Sequence, residues 1–171
     1  VTSNTAVWTL RWDGSAWAAN PASAHDTAVD TNTRRCADFE WEPTGSKGLL
    51  VWGTAAGQIA YKTYTSPNTW GTQQNPPMGT YAHSWVQLRT NTRDISGDIK
   101  ILGVVLEASA FDLGAIKWDG TTFTVIGSST ITADTTVVTY ESFELEFNLF
   151  GDPNEFKSEV EFTGTSNTWT W

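Results

Sequence analysis

The sequence predicts an all-β protein built from repeated antiparallel four-strand units, and three observations carry that prediction. Composition is the first. Ten Trp, eight Phe and four Tyr stand among 171 residues rich in Thr, and these residue types favour strands. Fourteen Gly and six Pro, with many Asn and Asp, supply turns. The second is a missing pattern: no extended window places apolar residues at i, i+3, i+4 and i+7, as an amphipathic helix requires. The third is internal similarity, which outranks local propensity as a fold signal.

The repeat is anchored by a short motif. Trp12-Asp13-Gly14-Ser15-Ala16-Trp17 returns as Trp118-Asp119-Gly120-Thr121-Thr122-Phe123, 106 residues later. Midway lies a degenerate copy, Tyr64-Thr65-Ser66-Pro67-Asn68-Thr69-Trp70. The period is therefore about 53 residues. A second marker keeps the rhythm: Phe39-Glu40-Trp41-Glu42, Trp85-Val86-Gln87-Leu88 and Phe143-Glu144-Leu145-Glu146-Phe147.

Each unit then reads as four strands. The first is the alternating run at Phe39, Val86 or Phe143, and a polar turn follows it. The second lies near Val51, Ile101 or Val160. The third leads into Trp12, Tyr64 or Trp118. A turn then gives the fourth, at Trp17, Trp70 or Phe123. Asp-Gly between apolar runs is a strong hairpin signal, because both central residues of a type I′ turn need positive φ. Trp12 and Trp17 are placed to face each other across that hairpin. Glu144 and Glu146, alternating with apolar residues, point to the solvated face. The chain divides into an incomplete unit at 1–30, units at 37–73 and 83–126, and an incomplete unit at 141–171.

These Trp-Asp-Gly units resemble the repeats of very large bacterial and archaeal surface proteins. The resemblance implies propeller-like architecture. There is a weaker likeness to the Asp-box of sialidase-type propellers, Ser-x-Asp-x-Gly-x-x-Trp. Asp13-Gly14-Ser15-Ala16-Trp17 lacks the residue between Asp and Gly, and the Asp-box is a turn motif away from catalysis.

The terminal segments match each other. Thr2-Ser3-Asn4-Thr5 and Thr165-Ser166-Asn167-Thr168 lie 163 residues apart, and each precedes a Trp-containing strand. About three and a half units are fewer than a familiar closed propeller contains. Unpaired edge strands invite another chain. The expectation is head-to-tail assembly by strand exchange, with Thr5, Val7, Trp8, Leu10, Trp169 and Trp171 as the participants. An excerpt from a longer surface array is a further reading of the same ends.

Chemistry is sparse by comparison. Net charge is −9, which argues against nucleic acid and anionic membrane surfaces as partners. No apolar run is long enough for membrane insertion. Cys36 is the one cysteine, so no internal disulfide forms, and it is expected to be a buried, inert thiol. The two histidines, His25 and His83, lie outside any nucleophile-elbow context; His25 reads as a surface loop residue and His83 as structural. A zinc site needs three or four convergent ligands, and His plus Cys number three in the entire chain. Asp38, Glu40 and Glu42, or Glu141, Glu144 and Glu146, supply paired carboxylates. Their recurrence in separate repeats favours a solvated strand face over a catalytic dyad. Calcium is the one cofactor with candidates, at Asp94-Ile95-Ser96-Gly97-Asp98 and Gly151-Asp152-Pro153-Asn154-Glu155, and turn chemistry accounts for both.

The sequence thus points to a non-enzymatic extracellular or cell-surface structural protein that assembles with copies of itself. The alternative is a glycan-binding, adhesive module, with Trp17 and Trp70 as the stacking residues.

Overall fold

Thirteen strands and no helix make up the regular structure among the described residues. The computed structural model describes residues 5–30, 35–44, 46–76, 83–92, 99–107, 113–126, 143–147, 158–163 and 168–170. The strands form four open antiparallel sheets. The first is a hairpin of β1 (Leu10–Trp12) and β2 (Trp17–Ala19). The second is a meander of β3 (Ala37–Trp41), β4 (Lys47–Gly53), β5 (Ile59–Thr65) and β6 (Thr69–Trp70). The third repeats that order with β7 (His83–Thr90), β8 (Ile101–Glu107), β9 (Leu113–Trp118) and β10 (Phe123–Ile126). The fourth holds β11 (Phe143–Phe147), β12 (Ser158–Thr163) and β13 (Thr168–Thr170).

The second, third and fourth sheets pack face to face in chain order, and the sequence shows why. Strands β4 and β8 are continuous apolar runs because both of their faces are buried. Leu49 and Val51 of β4 meet Ile101 and Val105 of β8 in a core that also holds Val86, Leu88, Ile116 and Trp118. The alternate residues Leu102, Val104 and Leu106 of β8 turn the other way, onto Phe143 and Leu145 of β11. Leu50 and Trp52, on the opposite face of β4, meet Val7, Val29 and Cys36. Each fully buried aliphatic side chain contributes roughly 1.5–3 kcal/mol. Gly103 of β8 is small for a packing reason: a Cβ there would lie 2.6 Å from Leu88 and 2.7 Å from Ile116.

Two expected features take a different form. Ala6–Leu10 is not a continuous strand. Val7 instead bridges Asp26, and Thr5 and Thr9 accept hydrogen bonds from Val29 and Asn20. The Asp-Gly hairpins also turn one residue later than a type I′ turn centred on Asp-Gly. Asp13 N–H donates to the Ala16 carbonyl, which puts Gly14, at φ +107°, in the first central position. Asp119 and Gly120, at φ +99°, repeat the arrangement against Thr122. A glycine there matches the type II′ residue pattern. The aspartate's task is to accept: Asp13 Oδ1 takes the N–H groups of Ser15 and Ala16, and Asp119 Oδ1 those of Thr121 and Thr122. These hydrogen bonds hold both carboxyls below the usual carboxylate range.

Candidate functional site: an aromatic groove

An open groove of about 670 Å³ lies between the N-terminal hairpin and the second sheet. The hairpin supplies Leu10, Arg11, Trp12 and Trp17 to it, and the sheet supplies Phe39, Trp41, Tyr64 and Trp70. Strand register explains the clustering. Trp12 pairs with Trp17, and their rings lie 5.6 Å apart. On the sheet, Trp41 pairs with Gly48, Gly48 with Tyr64, and Tyr64 with Trp70, so all four share one face. Gly48 leaves the gap that the Phe39 ring fills: a Cβ there would approach Phe39 Cζ to 2.4 Å. Phe39 then meets Trp41 edge-on at 5.1 Å, and Tyr64 meets Trp70 at 4.8 Å.

The walls of the groove are unusually open. Five large apolar side chains are exposed among the described residues, and four of them line it: Leu10, Trp12, Trp17 and Trp41. Trp17 is 66% exposed, Trp12 and Trp41 49% each. Contiguous exposed apolar surface of this kind marks a binding face. Thr9, Asn20 and Ser66 are polar members of the lining. Arg11 is the one charged side chain among the described lining residues. Its Nη1 donates to the Pro67 carbonyl at 2.7 Å and to Asn68 Oδ1, tying the hairpin to the β5–β6 turn.

Next to the groove lies His25, which is buried at 5% exposure and so is not the surface residue its loop position suggested. Its ring meets Trp70 edge-on at 4.2 Å. Thr9 Oγ1 donates to the Asn20 carbonyl and sits 2.8 Å from His25 Nε2. With the Thr9 proton given to Asn20, Nε2 is the donor, and Nδ1 is left as an acceptor without a partner among the described residues. Burial, aided by nearby Lys62, lowers the His25 pKa to about 4.

The layer boundaries differ at one position. Tyr61 stands three residues before Tyr64, and Thr9 three before Trp12. Tyr61 stacks on Phe123 at 4.7 Å with the rings 7° from parallel, and it packs on Trp118 at 5.9 Å. Trp118 and Phe123 are the repeat counterparts of Tyr64 and Trp70. A tyrosine therefore fills one boundary, where Thr9 leaves the preceding one open.

The carboxylates on β3, and Glu42 just after it, have structural partners. Asp38 Oδ2 accepts the Leu88 N–H at 2.9 Å, Glu40 Oε2 accepts from Thr90 Oγ1 at 2.8 Å, and Glu42 Oε1 accepts from Trp118 Nε1 at 3.0 Å. Glu42 is buried and Glu40 half-buried, which corrects the expectation of a solvated face. They point to the next sheet because Phe39 and Trp41 occupy the other side of the strand. Burial raises the Glu40 pKa. Glu144 and Glu146 are exposed, as alternation required, and both pair with Arg89.

Trp17 and Trp70, the expected stacking residues, both line the groove. Sequence reasoning missed Trp12 and Trp41 as exposed members; the alternation of Phe39 with Trp41 was the available signal. Of the strand-exchange candidates, Val7 is 1% exposed in the core, Trp8 is half-buried, Leu10 is exposed on β1, and Trp169 is central in β13. Thr5 is exposed with its carbonyl bonded to Val29. Trp171, Glu141, Thr2–Asn4, Thr165–Asn167 and both acidic calcium candidates lie outside the described residues. His83 opens β7. Cys36 is buried, and burial pushes its thiol up to about 11. Among the described residues no group of three or more His, Cys, Asp and Glu is placed to hold a metal, and no helix is long and apolar enough to cross a membrane.

Fold and groove together define a class: an all-β protein of open antiparallel sheets, layered face to face, with an aromatic cleft beside its first hairpin. Comparison with known families, curated proteins and solved structures finds no match to this chain.

Proposed function

We propose that this chain is a non-enzymatic, extracellular glycan-binding module built of propeller-like repeats, with the aromatic groove as its site. One observation carries the reading: four of the five exposed large apolar side chains among the described residues line a single groove with polar groups in its wall. A pyranose presents a face of C–H groups that packs on an aromatic ring, while its hydroxyls need the hydrogen-bonding groups beside it. The volume of about 670 Å³ suits a few sugar rings. Titration with a broad oligosaccharide panel, followed by Trp fluorescence and calorimetry, tests the reading. Binding is expected to weaken about tenfold or more in Trp17→Ala and Trp41→Ala, the loss typical of a central aromatic contact. An unresponsive protein across the panel ends it.

A second reading, self-assembly into a filament or ring, is favoured by the edges of the outer sheets. Among the described residues β2 and β13 each pair with one strand neighbour only. An open edge is a template for strand addition from another copy. Leu10 lies on β1, paired with Ala19 of β2, and Trp169 lies on β13 itself. Light scattering and negative-stain microscopy over a concentration series decide it, and dispersed monomers at high concentration dismiss it.

A further inference from the structure

We propose that the groove selects acidic sugars, pyranoses carrying a carboxylate, and that Arg11 reads the charge. This rests on the glycan reading above.

Arg11 is exposed at the groove, and no carboxylate lines the groove among the described residues. Its Nη1 contacts are the Pro67 carbonyl and Asn68 Oδ1, both neutral. They fix the guanidinium without neutralising it. Nε and Nη2 have no partner among the described residues, which leaves one side of the fork for a ligand. The other two described arginines are satisfied differently: Arg35 lies 2.8 Å from Asp38, and Arg89 lies 2.7 Å from Glu144. A chain of net charge −9 has carboxylates in excess, yet among the described residues this guanidinium meets none of them. A planar guanidinium with free N–H groups matches a carboxylate in geometry as well as charge.

The groove also has room for a ring. At the next layer boundary the corresponding space holds the Tyr61 side chain, stacked on Phe123. Thr9 opens that space beside Trp70 and next to Arg11. A uronic acid bears its carboxylate on the ring edge, so a ring seated against the indoles presents the acid to the rim where Arg11 stands.

The probes are a β-1,4-linked glucuronic acid tetramer and cellotetraose, which share ring faces and differ at C6. Calorimetric titration of the full chain at low salt is expected to favour the acid by about tenfold, the scale of one charge-assisted contact. The preference shrinks at high salt. Arg11→Gln is expected to lower affinity for the acid by more than it lowers cellotetraose affinity, so that the preference is lost, and Arg11→Lys to retain part of it. Equal wild-type affinities, or a preference that survives in Arg11→Gln, overturn the proposal and leave the glycan reading standing. Failure of both probes together with the broader panel removes the glycan reading itself. Should Arg11→Gln weaken both sugars because the hairpin moves, Arg11→Lys decides: a retained preference supports the role and a lost one overturns it.

Discussion

Trp118 Nε1 donates to Glu42 Oε1 over 3.0 Å, joining residues 76 apart in the chain and two different sheets. Both side chains are buried, and Lys100 Nζ stands 4.0 Å from the other carboxylate oxygen. Glu42→Ala leaves a buried indole N–H without its acceptor, a loss of about 1–3 kcal/mol. Glu42→Gln keeps an amide oxygen and is expected to lose less. Urea unfolding followed by Trp fluorescence measures both, and equal midpoints for wild type and Glu42→Ala contradict this role.

Exchanging residues between the two layer boundaries separates packing from binding. Tyr61→Thr uncovers Trp118 and Phe123 and is expected to destabilise by about 2–4 kcal/mol through the cavity it leaves. Thr9→Tyr places a ring in the groove and is expected to block sugar binding with the fold retained. Parallel unfolding and titration experiments check the pair; full sugar affinity in folded Thr9→Tyr counts against the groove as the site.

The two hairpin glycines share one backbone requirement in different surroundings. Gly14 and Gly120 have φ of +107° and +99°, where a Cβ is strained. Gly14→Ala meets open space and is expected to lose about 1–2 kcal/mol from strain alone. Gly120→Ala meets the flexible end of the Lys100 side chain at 2.8 Å, which can give way, so its added loss over Gly14→Ala is expected to be small. Thermal unfolding of the two variants gives the order directly.

His25 sets a pH dependence with a definite sign. Its folded pKa, about 4, lies below the unfolded value near 6.5. The unfolded chain therefore takes up the proton first as pH falls. The stability from neutral His25 is complete above pH 6.5 and declines down to about 4, below which the group adds no further slope. Lys62, at 3.0 Å from the His25 carbonyl, adds repulsion to the protonated ring. Glu40, raised by burial, acts in the opposite sense, because its protonation relieves a buried charge. His25→Gln is expected to flatten the decline between pH 6.5 and 4 in urea midpoints; an unchanged profile rules out His25 as its source.

Much of the fold is legible in the residues. Alternation located the strands at Phe39, Val86 and Phe143, and the Trp-Asp-Gly anchors placed the hairpins at Trp12 and Trp118. These are local signals, fixed by period-two side-chain direction and by turn chemistry. The fate of Glu40 and Glu42 was not legible. Alternation says that they share a face, but whether that face meets water or another sheet depends on what stacks there.

The open hairpin motif shows the same division. By itself the sequence determined an all-β chain, most of its described strand positions, and the pairing of Trp12 with Trp17. Only the tertiary structure decided that Trp17 and Trp70 share one groove with Trp12 and Trp41, that His25 is buried against Trp70, and that Arg11 meets no carboxylate there among the described residues. The physical reason is range: strand direction and turn geometry are set within a few residues, whereas exposure and charge pairing are set by layers that meet across more than fifty.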